Sequence, residues 1–129
     1  SQPIFMEPMR KNQDARSDVQ KIGEDAAADL LAEEGWTILH RNWSLRLGEL
    51  DIVARRGGCL VFVEVKARRA PAYVDPALGV DWRKQRQLRR VAEAYLARER
   101  PAFTECRFDV MGVVVGPSGV DVTRLEAAF

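Results

Sequence analysis

Apolar positions recur at helical spacing near the start of the chain. Val19, Ile22, Ala26 and Leu30 lie three or four residues apart, and Leu31 widens the stripe. The spacing predicts a helix that Ser17 opens, with Gln20 completing a capping box, and that Gly35 closes as a C-cap. Asp25, Asp29 and Glu33 fall on its outer face. Glu24 falls on the margin of the apolar stripe with Ala27 and Leu31, where periodicity leaves it either a surface acid or one that looks inward. Trp36–Arg41 reads as a short strand, with Trp36 and Trp43 as packing residues and Arg41 and Arg46 directed toward the next pair of strands. The pattern then changes to Val, Ile, Leu and Phe on both sides of Gly57-Gly58, the form of two strands joined by a two-residue turn. A second helix runs from the N-cap Asp81 to about Arg100, ahead of Pro101, on a stripe of Leu88, Val91, Ala92, Tyr95 and Leu96. Cys106–Val115 and Val120–Leu125 are closing strands around the turn G-P-S-G. The order α-β-β-β-α-β-β predicts an α/β fold, a central mixed β-sheet flanked by α-helices.

The hairpin concentrates the chemistry. With Gly57 and Gly58 as the turn, Arg56 pairs with Cys59 and paired residue numbers sum to 115. Asp51 then faces Glu64, and Glu49 faces Lys66, with opposed Cβ atoms about 4.5–5.5 Å apart. Four charged groups converge on one patch of an otherwise apolar pair of strands. Two carboxylates so close repel unless a positive charge lies between them, and a divalent cation with oxygen ligands, such as Mg²⁺, suits that position. Lys66 would orient a water or steady developing negative charge. The alternative is a solvated charged face with Glu49–Lys66 as a cross-strand salt bridge. The second arm, L-V-F-V-E-V-K, is apolar on both faces before its charges, which is the mark of a central strand, where charge needs a reason.

Bulk properties narrow the classes. The 129 residues suffice for one domain with a real core. No apolar run approaches the ~18 residues of a membrane span, and the first twenty residues lack the apolar stretch of a signal peptide, so no membrane partner and a cytoplasmic location are expected. Residues 1–16 show no periodicity and are expected to form a flexible arm, with 17–129 as one domain. Cys59 and Cys106, distant in sequence and with His40 as the one histidine, argue against a zinc site and suggest reduced, mostly buried thiols. His40 reads as a surface or packing residue. Net charge is +1, but residues 1–40 carry −4 and residues 41–90 carry +7. A carboxylate pocket in a basic surround suits a phosphate-bearing substrate near a cation.

That basic segment has two parts. The stretch after Lys66, with Arg68, Arg69, Tyr73 and two prolines, reads as a loop. On the second helix Arg83, Arg86, Arg89 and Arg90 crowd the first half, as a solvated face or as phosphate contacts. Lys84 extends the apolar stripe N-terminally and should point toward the sheet. Asp109 pairs with Arg107 or another base and has no ligand geometry.

Several runs carry a family resemblance: G-E-D-A-A, G-W-T-I-L-H-R-N-W, G-E-L-D-I-V, L-V-F-V-E-V-K-A-R, K-Q-R-Q-L-R-R-V-A-E-A-Y-L and R-F-D-V. Together, over roughly Ser17 to Phe129, they resemble the bacterial YraN-type proteins, also called UPF0102. That family looks like part of the restriction-endonuclease-like superfamily and is similar to archaeal Holliday-junction resolvases. Its signature is an Asp followed by Glu-x-Lys on the next strand. The closing Glu126-Ala127-Ala128-Phe129 departs from the more usual Asn-Ala-Phe ending. The resemblance implies that Asp51 and Glu64 hold a metal, that Lys66 stands next to the attacking water, and that Glu24 and Lys84 are the acid and the lysine supplied by the two helices.

The resulting expectation is a Mg²⁺- or Mn²⁺-dependent endonuclease that hydrolyses phosphodiester bonds in DNA, with branched DNA a candidate substrate. Asp51, Glu64 and the Val65 carbonyl are the expected ligands. Arg68, Arg69, Arg83, Lys84 and Arg86 are the expected nucleic-acid contacts, and cutting two strands would call for a homodimer. The alternative is a catalytically silent nucleic-acid-binding or protein-interaction domain that keeps the fold.

Overall fold

The computed structural model describes residues 18–75 and 80–129. The elements in order are α1 (Asp18–Glu33), β1 (Thr37–Leu45), β2 (Gly48–Arg56), β3 (Cys59–Arg69), α2 (Trp82–Glu99), β4 (Glu105–Gly116) and β5 (Gly119–Leu125). The strands form one sheet in the order β1-β2-β3-β4-β5, antiparallel except for β3 and β4. That parallel pair needs a long crossover, and α2 lies within it. The expected α/β order is observed. The expected Ser17 cap and N-terminal arm lie outside the described residues, as does part of the segment between β3 and α2.

The sheet has a core on each face. Ala27, Ala28 and Leu31 of α1 pack on Ile52, Ala54, Val61, Val63, Val65, Met111 and Val113. Leu88, Val91, Ala92 and Tyr95 of α2 pack on Leu50, Val53, Leu60, Phe62 and Phe108. β3 is therefore covered on both sides, as its apolar run predicts. Its turn into β2 is at Gly57, with φ +59°, and the register sums to 115 from Arg56↔Cys59 to Ile52↔Val63. Asp81 caps α2 by accepting from the Lys84 N–H at 2.9 Å, and Arg100 ends the helix in a left-handed conformation.

Several boundaries differ from the sequence reading. The buried stripe of α1 is Gly23, Glu24, Ala27, Ala28 and Leu31, so Ile22 is left 43% exposed. Gly23 sets this rotation: a Cβ there would stand 2.6 Å from Ala67 Cβ, so the helix approaches β3 through its glycine. β1 runs on to Leu45, past Asn42 at φ +53° and a register shift between Ile38 and His40, irregularities that hide a strand from a period-two reading. Arg68 and Arg69 are in β3, opposite Val114 and Val115, and not in a loop, because β4 continues to pair with the strand there. Cys106 is exposed and Cys59 half-buried, since both lie where β3 and β4 begin, before the core. His40 is a packing residue, with Nδ1 2.8 Å from the Tyr95 hydroxyl. Trp36 is buried and Trp43 packs edge-on against Tyr95. Asp109 is buried against Arg107 at 3.0 Å and also accepts the Ala127 N–H.

Candidate metal centre

The site forms where the β2–β3 ladder ends. The last regular pair is Ile52↔Val63, one step before Asp51 and Glu64. Leu50 and Val53, three residues apart, both pack toward α2, while Ile52 and Ala54 pack toward α1. Strict alternation cannot do this, so β2 is irregular at Asp51. Asp51 Oδ2 accepts the Val65 backbone N–H at 2.8 Å. A strand N–H points in the plane of the sheet, so this carboxylate sits between the strands, where a neighbouring carbonyl would otherwise be. From there it reaches side chains on both faces.

Three acids meet at this point. Oxygens of Glu24, Glu49 and Asp51 lie within 4.8 Å of one another, and Glu24 and Asp51 are 6% and 9% exposed. Glu24 arrives from the buried stripe of α1. Glu49 arrives from β2, opposite Ser44, whose hydroxyl donates to it at 3.2 Å. Glu64 completes the group, near enough to Asp51 for the two carboxyls to share a proton in a side-chain bond. Burial raises the Asp51 carboxyl well above its ordinary range, and the charges of Glu64, Glu24 and Glu49 raise it further; the Val65 N–H only partly offsets them. Burial also raises Glu64, while Lys84, Lys66 and the bond with Asp51 pull the other way. Lys84 Nζ lies 3.7 Å from Glu64 Oε2, so it points toward the sheet as its place on the stripe predicts.

Two side-chain amides are wedged among these acids. Gln20 Nε2 donates to Glu24 at 2.9 Å and to the Val65 carbonyl at 2.9 Å. Asn42 Nδ2 donates to Glu24 at 3.0 Å and to Glu49 at 2.9 Å. These are neutral donors facing anionic acceptors. They orient the carboxylates but do not cancel their charge. The donor set around the cluster is carboxylate and carbonyl oxygen, which fits a hard divalent cation and not a thiophilic one.

The expected site residues thus divide. Glu24 and Glu64 flank Asp51, and Lys84 and Lys66 stand beside Glu64. Val65 contributes its N–H to Asp51, and its carbonyl is engaged by Gln20. Arg83, Lys84 and Arg86 line one cleft with Arg90, Trp82, Gln87 and Leu47. Arg68 and Arg69 are exposed at the far end of β3, outside that cleft lining. Arg41 is drawn to Asp25 of α1 at 2.7 Å and so does not point into the acidic cluster. Sequence reasoning gives no ligand role to Glu49, Gln20 or Asn42. The spacing Glu49-x-Asp51 puts two acids on one side of a strand, which is the available signal for Glu49. Nothing in the sequence pattern singles out the amides.

Among the described residues, no helix is long and apolar enough to cross a membrane. The chain is 47% identical over 111 residues to a UPF0102 protein of Streptomyces griseus, covering 85% of this chain and 93% of the relative. It is 48% identical over 101 residues to one of Symbiobacterium thermophilum, covering 78% and 86%. It is 41% identical over 102 residues to one of Dictyoglomus thermophilum, covering 79% and 86%. The family profile described as "Uncharacterised protein family UPF0102" matches residues 23–113, a span that runs from Gly23 beside Glu24 through Asp51, Glu64, Lys66 and Lys84. With the relatives and the profile in agreement over most of its length, the chain belongs to the UPF0102 family.

Proposed function

We propose that this protein is a divalent-metal-dependent endonuclease acting on phosphodiester bonds of DNA. One observation carries the reading: buried Asp51 and half-buried Glu64 are both held above their ordinary carboxyl range, with Glu24 and Glu49 adding negative charge and two lysines beside Glu64. Such a group either keeps a proton or takes up a cation. Asp51 and Glu64, with the Val65 carbonyl that Gln20 engages, would hold Mg²⁺ or Mn²⁺, which would supply Lewis acidity and a water of lowered pKa. The chain's own residues do the remainder. Lys66, beside Glu64 on β3, orients the attacking water and steadies charge on the phosphate. Glu24 and Glu49, held in place by Gln20, Asn42 and Ser44, would hold waters at the outer side of the cluster. Lys84 reaches the phosphate from α2.

The test is a cleavage panel with Mg²⁺ and Mn²⁺ on single-stranded, duplex and branched DNA, using the parent, Asp51→Asn and Lys66→Ala. Asp51→Asn should abolish cutting and keep DNA binding. Lys66→Ala should slow it by about 10²–10⁴-fold, the usual scale for losing a group that manages the reacting water. Equal cutting by parent and Asp51→Asn would refute the assignment. Binding without metal-dependent cutting of any substrate would leave a silent DNA-binding domain.

A further inference from the structure

The head of α2 carries a tryptophan that the metal cluster does not use. Trp82 is 59% exposed at the first position of the helix, whereas Trp36 is 4% exposed and Trp43 packs against Tyr95 and donates to Glu99. An exposed indole presents a large, flat apolar face that a partner can cover. Its surroundings say which kind. The guanidinium groups of Arg83 and Arg86 lie 5.5 and 5.6 Å from the ring centroid. Trp82, Arg83, Lys84, Arg86 and Arg90 line an open cleft of about 620 Å³ bordered by Leu47 of the β1–β2 turn, whose carbonyl accepts from Gln87 Nε2 at 2.7 Å. The lining holds four cations and no carboxylate. Lys84 links the cleft to the acids, since it belongs to the wall and stands 3.7 Å from Glu64.

We infer that this cleft binds an unpaired nucleotide of single-stranded DNA, its base stacked on Trp82 and its phosphates held by Arg83, Arg86 and Arg90. The inference rests on the nuclease reading for its biological setting but not for its chemistry. A nucleotide has a flat apolar face next to an anion, and the cleft has an indole next to guanidiniums. Inside a duplex both faces of each base are covered by neighbours, so an indole can stack only on a base that has left the helix. The cleft therefore favours a strand end, a flap or a junction opening over intact duplex, and delivers its phosphate toward Lys84 and Glu64. An acidic protein segment would match the cations but leave the indole without a flat partner.

The test measures binding, not cleavage. Oligo-dT and a blunt duplex of equal length are titrated against the full chain in EDTA, with parent, Trp82→Ala and Trp82→Phe, each checked by thermal melting. Base–aromatic stacking predicts that Trp82→Ala weakens oligo-dT binding by roughly 5- to 150-fold. Trp82→Phe should recover most of that loss, and duplex binding should stay within about twofold. Oligo-dT should also quench the fluorescence of the parent and not that of Trp82→Phe. An unchanged oligo-dT affinity in Trp82→Ala, or an equal loss for single strand and duplex, overturns the inference. Neither outcome depends on cutting: a chain that binds oligo-dT through Trp82 but never cleaves refutes the nuclease reading alone.

Discussion

Replacing Asp51 by Asn should make the metal-free protein more stable at neutral pH. Asn keeps an oxygen to accept the Val65 N–H and has nearly the same shape, so the packing is preserved. It removes one of four clustered acids. Holding a buried carboxylate ionised costs several kcal/mol. Its bond from Val65, charge-assisted, returns about 1.5–3 kcal/mol, and a neutral acceptor returns about half of that. The balance favours Asn by about 1–2 kcal/mol, on the order of 5 °C in melting temperature for a domain of this size. The pH dependence has a definite sign. Asp51 and Glu64 hold protons more tightly in the folded than in the unfolded protein. Stability is therefore greatest below the ordinary carboxyl range, falls as pH rises through the window up to the raised folded values, and levels above it. The advantage of the Asn variant should grow across that window and then stay constant. Thermal melts in EDTA from about pH 4 to pH 8 read this directly. Mn²⁺ should reverse the order: at a hundred times its dissociation constant it adds about 2.7 kcal/mol to the parent, and far less to the variant. An Asn variant that melts below the parent at every pH, with an equal Mn²⁺ response, would show that the carboxylates already balance their charge and lack no cation.

Two further predictions concern the groups that place the acids. Asn42→Gly keeps a residue suited to φ +53° while deleting the amide between Glu24 and Glu49, so urea unfolding in EDTA should show a loss of about 1–3 kcal/mol, partly restored by Mn²⁺; Asn42→Ala should lose about 1 kcal/mol more from backbone strain. Gly23→Ala puts a methyl 2.6 Å from Ala67 Cβ, and should destabilise by about 1–3 kcal/mol and weaken Mn²⁺ binding, because it lifts the helix that carries Glu24.

Much of this arrangement is legible in the sequence, for identifiable reasons. A Gly-Gly pair between two β-rich arms leaves few registers, and the one that sums to 115 is observed from Arg56 to Ile52. The caps and stripe of α2 follow ordinary helix chemistry, and Lys84 points where its stripe sends it. The failures occur where side chains replace backbone. Regular pairing puts Asp51 and Glu64 face to face on one side of the sheet, but the carboxylate that bonds Val65 lies in the sheet's plane and reaches Glu24 and Glu49 as well. Glu24 is marginal on a stripe drawn through Ile22, and only the close approach at Gly23 turns the helix so that Glu24 is buried. Trp82 stands at a helix start with no pattern around it, and its meaning comes from groups four and eight positions on that only the coiled helix gathers.

The break in the β2–β3 ladder and the burial of the acid are one event. A central strand must satisfy its N–H groups, and once β2 turns aside at Asp51 the Val65 N–H has lost its backbone acceptor. A carboxylate replaces that acceptor better than a water would, because it is covalently tethered and charged. The same substitution removes the acid from solvent and sets it beside Glu64, so the device that completes the sheet also concentrates acids at the strand end. An ordinary fold would avoid that cost with Asn or Ser at this position. Here the neighbours deepen it, with Glu24 from α1 and Glu49 from the same strand, both oriented by amides that cannot cancel charge. Structural economy does not account for four acids around one strand end. A site that could hold a small, doubly charged ion would.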